Sequence, residues 1–245
     1  MSEKQLAIIV PCYNESKRLA QEVFYNFVEE NPLVHIFFAN DGSSDDTKLE
    51  LERLSGQHEQ LHLIDFLENQ GKGEVIRQSA VYIMSKEGVS FEWIGFLDAD
   101  LATPLEEMLR LLEFQKPESQ LIMGTRFAHM GSEIQRKWYR HYPGRVIATF
   151  ISIILGLEIY DTQCGAKWMR PSLIEQDFES PFITPWLFDV EMIKRIVKRE
   201  GIPAAKKCMQ EIPLNTWIEM GDSKITLLDF MKTPIDLLRI YLHYR

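Results

Sequence analysis

Short apolar runs alternate with helix-period segments through the first half of this 245-residue chain. Leu6–Val10 reads as a first strand, and Pro11-Cys12-Tyr13-Asn14-Glu15-Ser16 as a turn into a helix over residues 17–30. A second strand, Val34–Ala39, ends in Asn40-Asp41-Gly42-Ser43-Ser44-Asp45-Asp46, a cluster of turn and N-cap residues that opens a helix through Leu54. Leu61–Phe66 is a third strand, and Asn69-Gln70-Gly71-Lys72-Gly73 leads into a helix to about Lys86. Trp93–Leu97, a helix over Pro104–Phe114, and Leu121–Gly124 complete the series. Strands separated by helices predict an α/β fold: a mostly parallel, Rossmann-like sheet with helices on both faces. Ligands of such sheets gather at the carboxyl ends of the strands.

The fourth strand ends in Asp98-Ala99-Asp100, followed by Leu101-Ala102-Thr103-Pro104. Side chains at i and i+2 of an extended segment share a face, so both carboxylates can reach one hard cation, Mg²⁺ or Mn²⁺, that bridges to a diphosphate. The same pattern also serves as plain turn and capping chemistry, and Thr103-Pro104 has the form of a capping hydroxyl with proline at the first helical position. Topology favours the metal. Tyr13 and Glu15, Asp41, Lys72, and the pair Asp98 and Asp100 sit on four loops that a parallel sheet brings to one rim.

A formal charge of −9 argues against general nucleic-acid binding, which needs a basic face. Cys12, Cys164 and Cys208 are far apart and lack metal-ligand spacing, as expected for reduced thiols in a cytoplasmic protein. Val146–Leu157 is the longest apolar run, interrupted by Thr149, Ser152 and Gly156, and falls short of the roughly 20 residues that span a bilayer. Ahead of it stand Arg126, after the fifth strand, and Arg136, Lys137, Arg140, His141 and Arg145, the densest basic cluster in the chain. The apolar segment suits a buried helix, a homodimer interface or a peripheral membrane contact. Ile225, Leu228, Met231, Ile235, Leu238 and Leu242 repeat the theme at helical spacing, with Pro234 expected to kink or divide that helix.

Ile9-Val10-Pro11-Cys12-Tyr13-Asn14-Glu15, Asn40-Asp41-Gly42-Ser43-Ser44-Asp45-Asp46-Thr47, Gly71-Lys72-Gly73 and Asp98-Ala99-Asp100 resemble the ordered motifs of family 2 glycosyltransferases of the GT-A fold. Asp161-Thr162-Gln163-Cys164-Gly165-Ala166-Lys167, Trp186-Leu187-Phe188-Asp189-Val190-Glu191 and 217–224 look like the dolichyl-phosphate glucosyltransferase branch. The resemblance implies a nucleotide diphosphate sugar donor and a polyprenyl phosphate acceptor, joined with inversion on the cytoplasmic face of a membrane.

By motif position, the resemblance puts Pro11, Tyr13, Glu15 and Asp41 on the base and ribose. Asp98 and Asp100 fall on the metal and diphosphate, and Lys72 and Ala99 join the nucleotide-sugar site. It places Arg126, Arg136, Ser223 and Lys224 on the acceptor phosphate and lets Asp189 orient sugar or acceptor. Asn40 stands where the family more often has a second acid, and Ala102 where mannosyl relatives carry glutamine, which favours the glucosyl branch. The expected organisation is a catalytic domain over 1–215, with its donor half about 1–125 and its acceptor half about 126–215. Residues 216–245 would form a C-terminal loop and amphipathic helix. A soluble sugar or peptide acceptor, a silent nucleotide-sugar binding module and a membrane-anchoring partner remain open.

Overall fold

A computed structural model describes residues 5–86, 90–135, 138–220 and 227–245, without the side chains of 138–144 and 227–231. The first half follows the hydrophobic pattern closely. Strand β1 (Gln5–Cys12) is followed by α1 (Gln21–Glu30), β2 (Val34–Asp41), α2 (Thr47–Ser55), β3 (Leu61–Phe66), α3 (Lys72–Met84), β4 (Phe91–Leu97), α4 (Leu105–Leu112) and β5 (Leu121–Thr125). The second half contains β6 (Glu133–Gln135), α5 (Trp138–Leu155), β7 (Ala166–Met169), α6 (Pro171–Asp177), α7 (Phe188–Glu200), α8 (Ile202–Cys208), β8 (Met209–Pro213), β9 (Thr216–Ile218) and α9 (Leu227–His243).

Seven strands form one sheet in the order β3-β2-β1-β4-β7-β5-β8. Only β7 runs against the others, pairing antiparallel with β4 and β5. Alternate residues of β1 face opposite layers. Ile8 and Val10 pack with Phe24, Leu51 and Leu105, whereas Ala7 and Ile9 pack with Val75, Ile76 and Ile193. A sheet apolar on both faces requires helices on both sides, and burying each large apolar side chain contributes about 1.5–3 kcal/mol. Gly95 permits the crossing of β4 and β7, since a β-carbon there would stand 2.6 Å from Trp168 Cε3.

Three local expectations change. Helix α4 begins after Pro104, which occupies the extended N-cap position, and Thr103 is buried without capping it. Residues 17–20 precede α1 as a turn, because Arg18 and Leu19 amides both bond back to the Glu15 carbonyl. Pro234 lies inside a helix that runs on from Leu227 to His243 undivided.

The described part of the apolar C-terminal stripe lies on the outer face of α9. Leu237 and Ile240 point inward, while Ile235, Leu238 and Leu242 are exposed. Helix α5 is two-faced in the same way: Ile151 and Leu155 are buried, and Val146, Phe150 and Ile153 face outward. A C-terminal knot ties α9 to the domain, with the Tyr244 hydroxyl donating to Glu191 Oε1 at 2.7 Å and accepting from Arg195 Nε at 2.9 Å. Among the described residues no helix is long and apolar enough to cross a membrane.

Candidate active site

The carboxyl ends of β1, β2 and β4 and the amino end of α3 converge on one rim. After β1, Asn14 adopts a left-handed φ of 52°, a conformation asparagine tolerates, and its amide donates to Ser43 Oγ at 3.0 Å. The Glu15 amide donates to Thr47 Oγ1 at 2.7 Å, stitching the loop after β1 to the loop after β2. Asp45 anchors that seam by accepting from the Ser16 hydroxyl at 2.7 Å and the Thr47 hydroxyl at 2.5 Å. Its slight burial opposes ionisation, but these hydrogen bonds outweigh it and hold the carboxyl at about 2. Pro11 is the penultimate residue of β1, Tyr13 is exposed and Glu15 is buried.

Asp41, at the end of β2, is buried and accepts the Gln70 amide at 2.6 Å and the Gly71 amide at 3.0 Å. Burial raises its pKa, and the two amides temper the rise. Each oxygen keeps a second lone pair, yet the visible work of Asp41 is to fix the loop that carries Lys72. Gly42 is required beneath it: φ is +62°, and a β-carbon would lie 2.5 Å from the Glu68 carbonyl carbon.

Lys72 opens α3 and forms an ion pair with Asp98 Oδ1. Burial opposes its charge, but Asp98, Asp189 and Asp100 outweigh burial and raise its pKa. The other oxygen of Asp98 presses against Gly165, where a β-carbon would stand 2.1 Å from Oδ2. Asp100 is turned inward and accepts the Ala102 amide at 3.1 Å, with Leu101 between them at φ 51°. Burial raises the Asp100 pKa, and Asp98 and Glu15 push the same way. Ala99 and Ala102 are buried in this turn.

Asp189 enters from the first turn of α7 and lies 2.6 Å from Lys167 Nζ. Burial raises its pKa against the pull of Lys167 and Lys72. Lys167 has no exposed surface and also donates to the Cys164 carbonyl at 2.5 Å. Charges this deeply buried persist only when paired, so these residues form one unit.

Arg126 follows β5 and grips Asp161 with Nε at 2.6 Å and Nη2 at 2.7 Å, its guanidinium lying 5.4 Å from the Trp217 ring. Burial opposes both charges, but the pairing raises the Arg126 pKa and holds Asp161 at about 2. Glu211 steadies the pair from behind by accepting the Asp161 amide at 2.6 Å. The Ile218 amide donates to the Ala102 carbonyl at 2.9 Å, bringing β9 onto the Asp98–Asp100 turn. Cys164 is buried and its thiol pushed up to about 11, chiefly by burial and then by Asp161, which removes it as a nucleophile.

The profile of Glycosyl transferase family 2 matches residues 7–178. The chain belongs to this family. Among curated relatives of this glycosyltransferase, a Trichomonas vaginalis protein named dolichyl-phosphate beta-glucosyltransferase ALG5C is 30% identical, with 100% of this chain and 73% of the relative covered. The Homo sapiens dolichyl-phosphate beta-glucosyltransferase is also 30% identical over 98% of this chain and 76% of its own, and the Saccharomyces cerevisiae one is 29% identical over 98% and 75%. The GT-A fold is shared with Mycobacterium tuberculosis glucosyl-3-phosphoglycerate synthase, solved with Mn²⁺, uridine diphosphate and glucosyl-3-phosphoglycerate. Its TM-score is 0.69 at 15% identity, covering 98% of this chain and 80% of that one.

Of the residues singled out in the glycosyltransferase sequence, Lys72, Asp98, Asp100 and Asp189 form one connected cluster. Pro11, Tyr13, Glu15 and Asp41 line the same rim. Arg126 is tied to that rim through Asp161 and β9, while Arg136, Ser223 and Lys224 lie outside the described residues. Lys167, Gly165, Asp161 and Glu211 were not predicted as site residues. The first three stand inside the motif Asp161–Lys167, which was their only signal in the sequence.

The donor set suits a hard divalent cation: two carboxylates on one turn, one of which already draws a cation in Lys72. Among the described residues no group of three or more acidic, histidine or cysteine ligands forms. Phosphate and water would complete the shell.

Proposed function

We propose that this chain moves a hexose from a nucleotide diphosphate sugar of the UDP-glucose kind to a polyprenyl or dolichyl phosphate, inverting the anomeric carbon. The observation that carries this reading is a two-sided rim. Acids Asp98, Asp100 and Asp189 with Lys72 make one side and Arg126 the other, and α5, which packs on α9 and on the Asp189-bearing α7, adds with α9 an exposed apolar surface. A charged head with a long apolar tail matches Arg126 and that surface. The names of the full-length relatives support the same acceptor.

In this reading Pro11, Tyr13, Glu15 and Asp41 form the wall for base and ribose, and Lys72 faces the diphosphate. Mg²⁺ or Mn²⁺, held by Asp98 and Asp100, would neutralise charge on the departing diphosphate. Asp189 accepts a sugar hydroxyl, with Lys167 fixing its position. Arg126 presents a guanidinium edge to the acceptor phosphate, and Arg136, Ser223 and Lys224 join it by resemblance. An acceptor phosphate oxygen attacks the anomeric carbon while the carbon–oxygen bond to the diphosphate breaks. The monoester is already anionic, so no side chain needs to remove a proton. Val146, Phe150 and Ile153 with Ile235, Leu238 and Leu242 would rest on the cytoplasmic membrane surface.

Purified protein incubated with radiolabelled UDP-glucose, Mn²⁺ and polyprenyl phosphate should move label into an organic extract. Label appearing only in an aqueous product with a soluble acceptor would overturn the lipid acceptor. Donor binding without transfer to any acceptor would overturn the enzyme.

A further inference from the structure

The two lysines of the site differ in freedom. Lys167 has no exposed surface and is held between Asp189 and the Cys164 carbonyl. The Lys72 side chain is a third exposed, and only its backbone is clamped, through the Asp41 bonds to Gln70 and Gly71. Its ammonium sits on Asp98 Oδ1. The whole carboxylate faces Gly165, where a β-carbon would stand 2.1 Å from Oδ2 and 2.7 Å from Oδ1, and its open side is the one that Lys72 occupies. A divalent ion arriving there meets a positive charge already in place, and moving Lys72 aside without a new anion leaves its ammonium only Asp100, itself read as a metal carboxylate, and Asp189, which already pairs with Lys167.

We propose that Lys72 is a resident cation that passes from Asp98 to the donor's diphosphate as the metal enters, so that metal and nucleotide bind as a pair. The inference rests on the reading of Asp98 and Asp100 as metal carboxylates. Diphosphate supplies the anion that Lys72 needs on leaving Asp98, and the flexible stem of a lysine spans that change while the loop stays fixed. The site is thereby guarded against metal alone. By linkage the metal strengthens nucleotide binding by the same factor.

Mn²⁺ binding by electron paramagnetic resonance, with and without UDP, tests this on the wild type, Lys72→Met and the charge-preserving Lys72→Arg. Wild type should bind Mn²⁺ about tenfold or more tightly with UDP than without. Lys72→Met should bind Mn²⁺ alone about tenfold tighter than wild type and lose most of the coupling, while Lys72→Arg keeps it. A general loss of positive charge would instead strengthen Mn²⁺ binding equally with and without UDP. That equal gain, or coupling unchanged in Lys72→Met, overturns the exchange. No Mn²⁺ binding by the wild type even with UDP overturns the metal site itself.

Discussion

The proposed donor and acceptor sides of this rim are built by different means. On the donor side, consecutive strand-to-helix turns carry the residues, and side chains lock neighbouring backbones: Asp41 to Gln70 and Gly71, Asn14 to Ser43 and Ser44, Asp45 to Ser16 and Thr47. On the proposed acceptor side, Arg126, Asp161, Glu211 and Trp217 come from four separated stretches joined by a buried ion pair, a ring contact and carboxylate bonds to the Arg126 and Asp161 amides. Backbone-anchored loops fix where phosphate-handling groups point, whereas the long-range assembly is held by a buried pair whose members depend on each other. The first arrangement favours one ligand geometry. The second suits an acceptor whose tail lies outside the protein.

The largest expected effect lies where the halves meet. Asp100→Ala should lower kcat/KM for transfer by about 10²- to 10³-fold, or about 3–4 kcal/mol of transition-state stabilisation. Steady-state kinetics with saturating metal checks it, and full metal-dependent activity would remove Asp100 from the site. Gly165→Ala should follow at about 10²-fold, because the added carbon displaces Asp98 by the order of an ångström. Retained fold, measured by thermal melting, with transfer unchanged would show that the contact at Gly165 does not position Asp98.

That contrast governs what the chain discloses in one dimension. Turn residues next to apolar runs, as in Pro11–Ser16, Asn40–Asp46 and Asp98–Asp100, mark the donor loops because the topology then places them. The sequence likewise marks Lys72, one residue after Gly71. Lys167 is hidden, since a buried lysine in a strand looks like an exposed one until its partner Asp189, 22 positions later in the chain, is known to face it. Asp161 and Glu211 meet only because β8 pairs with β5, a register that periodicity does not contain. The stripe of Ile235, Leu238 and Leu242 left its burial open for another reason. Helix α9 is apolar on two faces, and helical spacing alone does not say which one is buried.

A smaller effect should separate the halves by substrate. Arg126→Lys loses the planar fork, so KM for polyprenyl phosphate should rise about tenfold, or about 1.4 kcal/mol, with KM for the donor unchanged. Equal rises in both would mean that Arg126 acts on the whole rim through Asp161 rather than on the acceptor.

Acid should distinguish the halves last and least. His35 and His62, half-buried on β2 and β3 with Nδ1 and Nε2 3.0 Å apart, belong to the donor side. Burial lowers both pKa values, His62 to about 4 from the ordinary 6.5, with Lys86 adding to the effect. A folded state that refuses protons the unfolded chain accepts has its full stability above pH 6.5 and loses it as pH falls toward 4. The acceptor pair behaves differently: Asp161, held at about 2 against an ordinary 3.8, keeps its contribution above pH 3.8 and loses it only below that. Asp45 matches Asp161 on the donor side, and Asp41, Asp100, Asp189 and Glu211, all raised by burial, gain stability on acidification, so no carboxyl here gives the donor side a loss of stability between pH 7 and 5. The histidine pair does. Hydrogen exchange followed by mass spectrometry between pH 7 and 5, corrected for intrinsic rates, should show β2 and β3 peptides losing protection by about a few-fold more than β5 and β8 peptides. His62→Gln should erase that difference; a difference that persists would place the acid-sensitive group elsewhere in the donor half.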